Sequence, residues 1–151
     1  SLTRAERLGG FCATLLQYGL PFRSEWIVEC DCQQREAAEA AEQLLRHYPN
    51  ITAVVCHKAS VALGAYFGLT RSGRSIGSDG VDAYYGRQVA LIGFGDVPEA
   101  ELTEPPLTFV SSSAREVGRS AAARLLQRIG DADLPAQNVI LPPTLIRRGS
   151  A

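Results

Sequence analysis

A chain of 151 residues suits one domain. Its 46% hydrophobic content and near-zero mean hydropathy are the balance of a globular chain. A formal net charge of −1, without a basic stripe, excludes a self-sufficient DNA-reading surface and attraction to acidic membranes. No run of about eighteen apolar residues offers a membrane span, and no charged leader followed by an apolar stretch marks a signal peptide. The cytoplasm is the expected compartment. The chain starts at Ser1 and contains no Met, which reads as a processed piece.

Ser1 or Thr3 can cap a first helix, with Glu6 at the reciprocal position for Thr3. Leu8, Phe11, Cys12, Leu15 and Leu16 form its apolar stripe, and Gly19 and Pro21 end it. Trp26-Ile27-Val28 reads as a short strand. Asp31 is the expected cap of a second helix over residues 33–48, with Ala37, Ala41, Leu44 and Leu45 inward. Residues 51–56 are a continuous apolar, β-branched run, the pattern of a strand covered on both faces. A third helix, residues 60–70, is apolar nearly all round and needs cover on more than one side. Residues 73–88 carry Gly73, Gly77, Gly80 and Gly86 around Val81, Tyr84 and Tyr85. That is too long for an ordinary connection, so it is either a mobile flap or a loop pinned by its tyrosines. Residues 89–94 and 107–110 read as buried strands. A helix over 113–129 turns Val117, Ala121, Leu125 and Ile129 inward, and two short apolar runs, 139–141 and 145–146, close the chain.

Strand and helix alternate, which predicts an α/β fold: a parallel Rossmann-like sheet with flanking helices. Ligands of such sheets sit beyond the carboxyl ends of the strands. The candidate site is therefore Asp31-Cys32, Cys56-His57-Lys58 and Gly95-Asp96. Cys12, Cys30, Cys32 and Cys56 are expected as buried or half-buried thiols rather than a disulfide framework. A zinc site from Cys30, Cys32, Cys56 and His57 is conceivable, but its spacing matches no common zinc module, and no metal or other cofactor is expected. His47 reads as a cation at a helix C-terminus. Catalytic motifs are missing: no Gly-x-Ser-x-Gly elbow, phosphate loop or Gly-x-Gly-x-x-Gly turn occurs. Asp31, Asp96 and Lys58 would also fit a phosphoacceptor domain, though the motifs around them do not, and no enzyme is expected.

Gly93-Phe94-Gly95-Asp96, Glu104-Pro105-Pro106-Leu107-Thr108 and Ala114-Arg115-Glu116-Val117-Gly118 follow one another at a distinctive spacing. Together they resemble the C-terminal half of the effector-binding core of LacI/GalR-type bacterial transcription repressors. Residues 4–11 are similar to that family's R-x-x-G-(F/W) helix. Residues 52–55 with Ala62-Leu63-Gly64-Ala65 are similar to its central strand and following helix. Leu141-Pro142 and Leu145 to Ser150 match its L-P-x-x-L-V-x-R-x-S ending. The loop Gly80-Val81-Asp82-Ala83-Tyr84-Tyr85, and the replacement of Asn-Asp after the central strand, resemble the MalI-type maltose-regulon repressors within the family.

The resemblance implies a periplasmic-binding-protein-like fold of two Rossmann-like subdomains joined by three crossovers and preceded by a helix-turn-helix. Residues 1–110 would be the C-terminal subdomain, 111–137 the helix that returns to the N-terminal subdomain, and 138–151 the closing strand and crossover. The helix-turn-helix is absent, so operator DNA would be reached only through it. Thr3, Arg7, Cys32, Lys58 and Asp96 fall at implied ligand positions, and Leu63, Tyr66 and Phe67 at an implied homodimer interface. Arg7 is either a five-donor grip on ligand oxygens or an exposed helix arginine in a salt bridge.

At the other ligand positions Lys58 replaces an Asn, Ala59 an Asp, Gly95 an Asp, and Cys32 a ring that stacks on sugar. A site richer in donors suits a sugar phosphate or related anion better than a neutral sugar. The alternative is a degenerate site, with Lys58 paired to Asp96 or Asp31. The function implied is the effector-binding and dimerisation part of a repressor of a carbohydrate operon. A solute-binding protein of a transport system is the alternative, because it shares the fold.

Overall fold

The computed structural model describes residues 1–31, 33–79 and 87–151. Helix α1 (Leu2–Gln17) starts at Ser1, whose Oγ accepts from the Arg4 amide at 3.3 Å. After a single 3-10 turn, Ser24–Trp26, come α2 (Gln34–His47), β1 (Ala53–Cys56), α3 (Ala59–Arg71) and β2 (Ala90–Phe94). A second 3-10 turn, Pro98–Glu101, leads to β3 (Thr108–Ser111), α4 (Ala114–Gly130) and β4 (Thr144–Ile146). The sheet order is β1-β2-β3-β4. β1, β2 and β3 run parallel, with Cys56 opposite Gly93 and Phe94 opposite Val110; α3 makes the crossover from β1 to β2, while only the second 3-10 turn lies between β2 and β3. β4 returns antiparallel to β3, Leu145 facing Val110, so the sheet is mixed at this edge.

Helix α3 lies between α2 and the β1–β2 part of the sheet, which meets the demand of its nearly all-apolar sequence for cover on two sides. Small residues set the spacing. A Cβ at Gly64 would come within 2.7 Å of the Ala37 Cβ, and one at Gly68 within 2.9 Å of the Ala38 carbonyl carbon. The two backbones therefore touch through Gly64 and Gly68 against Ala37 and Ala38. Leu69, Val89, Leu91, Leu107 and Phe109 fill the core beneath. The base of the long loop is zipped by the Gly77 amide to the Val89 carbonyl at 3.0 Å and the Val89 amide to the Ser75 carbonyl at 2.9 Å. Val81, Tyr84 and Tyr85 lie outside the described residues, so the choice between flap and pinned loop falls there.

The C-terminal residues are part of the core. Ser150 is fully buried; its Oγ donates to the Leu91 carbonyl at 2.6 Å and accepts from the Thr108 amide at 2.8 Å. Its own backbone bonds to Leu91 and Pro106. The segment 147–151 is thus a strap across the starts of β2 and β3.

Four expectations change. Trp26 does not open a strand: its amide and that of Ile27 close a turn on Arg23 and Ser24, and the sheet is built from β1–β4 without residues 26–28. Asp31 does not cap α2; Gln33 holds that position without a side-chain hydrogen bond. β1 is not covered on both faces, since Val55 is 38% exposed on an edge strand. The stripes of α1 and α4 have no buried residue, and Val117, Leu125 and Ile129 stand exposed because no described element covers them.

Candidate functional site

Two strand ends meet at one edge. β1 runs into Cys56-His57-Lys58, and Lys58 is the residue immediately before α3. β2 runs into Gly95, whose φ of +95° suits glycine and turns the chain sharply. Helix α1 crosses this edge. The Arg7 guanidinium donates to the His57 carbonyl and lies 4.8 Å from the centre of the Phe94 ring, a cation–π contact. An open depression of about 410 Å³ beside it is lined by Glu6, Arg7, Gly10, Phe11, Thr14, Val55 and Phe94.

The edge is electropositive. Burial, then the charges of Arg7, Lys58, Arg4 and the Ser1 amino group, push the His57 pKa below the ordinary imidazole value. Its Nδ1 is buried without a partner among the described residues. Glu29 reaches Arg4 at 3.8 Å, whereas Arg7 and Lys58 have no ion pair among the described residues. Such an arrangement can offer donors and positive charge to a ligand's oxygens, with the Phe94 ring against the Arg7 guanidinium.

Arg7 and Lys58 therefore come together at one edge. Thr3 lies exposed in the first turn of α1. Asp31 is exposed but not at a strand end, and Cys32 lies outside the described residues. Asp96 is engaged by the fold: Arg148 binds both carboxylate oxygens, at 3.2 and 3.3 Å, and the Val97 amide donates to Oδ1 at 3.0 Å. It pairs with Arg148 and not with Lys58. Cys56 is buried and its thiol is pushed up to about 12, by burial first and by Cys30 second, so it is inert as a nucleophile. On α3, Leu63 turns into the core, Tyr66 shares hydrogen bonds with the Glu104 backbone, and Phe67 is 50% exposed. Sequence reasoning missed Arg148, Thr108 and Ser150. Their signals were the L-P-x-x-L-V-x-R-x-S ending, for Arg148 and Ser150, and the Pro-Pro-Leu-Thr segment, for Thr108, both taken only as family marks.

A mostly parallel sheet with polar residues at its strand ends is the arrangement in which α/β folds place ligand sites. Residues 1–148 match the family model described as periplasmic binding proteins and sugar binding domain of LacI family, and the chain belongs to this family. It is 49% identical over 146 residues to the maltose regulon regulatory protein MalI of Escherichia coli (strain K12), covering 97% of this chain and 43% of that protein. It is 31% identical over 147 residues to the HTH-type transcriptional repressor PurR of Actinobacillus pleuropneumoniae serotype 3 (strain JL03), covering 96% and 41%. The chain thus spans less than half the length of these curated relatives. Among solved structures, the Escherichia coli transcriptional repressor ascG superposes with a TM-score of 0.84 at 28% identity, covering 100% of this chain and 51% of that one. A LacI-family sugar-binding transcriptional regulator from Escherichia coli complexed with phosphate gives 0.82 at 28% identity, covering 100% and 51%.

Proposed function

We propose that this chain forms one wall of the effector-binding cleft of a transcription repressor acting in carbohydrate metabolism. The observation that carries the reading is the 49% identity to a maltose regulon regulatory protein along nearly the whole chain. Repressor names among the relatives favour it over the transport alternative. With a net charge of −1, the chain would reach operator DNA only through a separate module, in the cytoplasm, as a homodimer built on the exposed Phe67 side of α3. Residues 1–110 would be the C-terminal subdomain, 111–137 the helix docking on the N-terminal subdomain and 138–151 the closing crossover.

The effector is an anion or a heavily oxygenated sugar, held by Arg7 and Lys58. Support comes from the two cations without carboxylate partners among the described residues, at the edge where strand ends meet. A relative in the same family has been solved with phosphate, others with cellobiose or ribose, so both ligand chemistries are within the fold's reach. Calorimetry on the full-length protein with inorganic phosphate, a hexose phosphate and the matching neutral sugar tests this. Binding of the phosphorylated sugar, weakened in Lys58→Ala, is expected. Tight binding of the neutral sugar, unchanged in Lys58→Ala, refutes the anionic reading.

A further inference from the structure

We infer that Arg148 is a positioning residue of the effector site, acting through Asp96 rather than through the ligand. The inference rests on the effector-binding reading above. Asp96 follows Gly95, the residue that turns the chain at the end of β2, and the Gly95 amide is tied to the Val110 carbonyl at 2.9 Å. The two Arg148 Nη atoms grip the Asp96 carboxylate at 3.2 and 3.3 Å, and Nη1 also donates to the Leu107 carbonyl at 2.7 Å. The Arg148 side chain is only 13% exposed and that of Asp96 33%, so water competes weakly for the pair. Glu101, at 3.7 Å, is 74% exposed and adds little.

Arg148 is itself held firmly. Its amide donates to the Thr108 Oγ1 at 2.9 Å, and buried Ser150 anchors the strap two residues on. A Cβ at Gly149 would stand 2.9 Å from the Pro105 Cβ, so the strap lies tight against the Pro-Pro segment. Rigidity passes from the strap through Arg148 to Asp96 and Gly95. It then reaches Phe94, the ring beneath the Arg7 guanidinium. The strap also continues from β4, where Thr144 pairs with Ser111, the last residue of β3 before the chain leaves for α4. One ion pair thus ties the wall of the site to the place where the chain departs for α4 and returns. A planar fork is what makes the grip directional, and a lysine cannot reproduce it.

The test compares Asp96→Asn, Arg148→Met, Arg148→Lys and the Asp96→Asn/Arg148→Met double variant in the full-length protein. The first readout is amide hydrogen exchange, which needs no ligand. Gly95 and Val97 should lose protection in every variant while Leu91 keeps its own; unchanged protection at Gly95 and Val97 overturns the inference. The second is affinity for a hexose phosphate by calorimetry. Each single variant should lose a similar factor, about 3- to 30-fold, as expected for positions that act on a site without touching its ligand. The double variant should be no weaker than the singles. Factors that multiply, or an Asp96→Asn loss with Arg148→Met unaffected, would instead place Asp96 on the ligand. Full affinity in Arg148→Lys would show that charge alone suffices and overturn the role of the fork. If the unaltered protein binds no anion, the anionic reading of the effector fails, while the exchange data still decide the strap.

Discussion

Replacing Ser150 by alanine removes one oxygen from the middle of the core. That oxygen donates to the Leu91 carbonyl at 2.6 Å and accepts from the Thr108 amide at 2.8 Å, at a residue with 0% exposure. Alanine fits the space but leaves the Thr108 N–H facing a methyl group. An unmade buried donor costs about 1–3 kcal/mol, and the lost bond to the Leu91 carbonyl adds about 1. The backbone bonds of Ser150 to Leu91 and Pro106 remain, which keeps the strap in place and the loss within about 2–4 kcal/mol. For a unit of this size that lowers Tm by roughly 5–15 °C. Urea unfolding followed by far-UV circular dichroism should give a lower midpoint at unchanged slope. Exposed Ser112→Ala is the control. A Ser150→Ala protein within about 0.5 kcal/mol of the parent would refute the reasoning, since that is the range of inconsequential surface changes.

Gly68→Ala should destabilise by about 1–3 kcal/mol in the same assay, because the new methyl overlaps the Ala38 carbonyl and forces α2 and α3 apart. Gly9→Ala, in α1 with nothing within 4 Å, should stabilise by about 0.5–1 kcal/mol on helix propensity alone, so the two signs must differ. Arg7→Ala and Lys58→Ala should each weaken binding of a hexose phosphate by about tenfold or more, the cost of one charged hydrogen bond, as read by calorimetry. Phe67→Arg should shift the full-length protein toward monomer in light scattering, since Phe67 is the half-exposed ring of α3. The depressed pKa of His57 sets a pH dependence. The unfolded imidazole takes up a proton more readily than the folded one, so stability is complete above about pH 6.5 and falls as pH drops through the folded value. His57→Gln should flatten that acid-side decline in urea midpoints measured between about pH 5 and 8.

Periodicity and runs of β-branched residues gave away the centre of the fold. Residues 51–56 and 89–94 read as strands and contain β1 and β2, and a helix over 60–70 apolar nearly all round had to lie between layers, which is where α3 sits. What periodicity cannot give is the identity of the covering surface. The stripe of α4 is real, but Leu125 at 61% and Ile129 at 72% exposure face nothing among the described residues. Trp26-Ile27-Val28 had strand composition without a neighbouring edge, and composition alone does not supply hydrogen-bond partners. The antiparallel return of β4 was equally hidden, because strand direction is set by the path after α4 and not by the three residues of the strand.

The site divides in the same way. Lys58 and the Gly-Phe-Gly-Asp turn were legible because each sits at a strand end, whereas Arg7 was singled out only by the resemblance of its helix to the family's R-x-x-G-(F/W) segment. That the arginine rests on Phe94 required the fold. Asp96 looked like a ligand group because it belongs to the same turn. Its partner is 52 positions away, and no local pattern links a turn aspartate to an arginine near the end of the chain. A carboxylate bound on both oxygens by one guanidinium has little left to offer a sugar hydroxyl. With Asp96 committed to Arg148 and glycine at position 95, the turn contributes shape rather than acceptors, and the donors we propose at this edge are Arg7 and Lys58, beside Glu6 in the lining of the depression. The donor-rich character we propose for the site therefore rests on the strap as much as on the substitutions at its edge. The residue that removes the last acceptor of the turn lies in the ending that first marked the family.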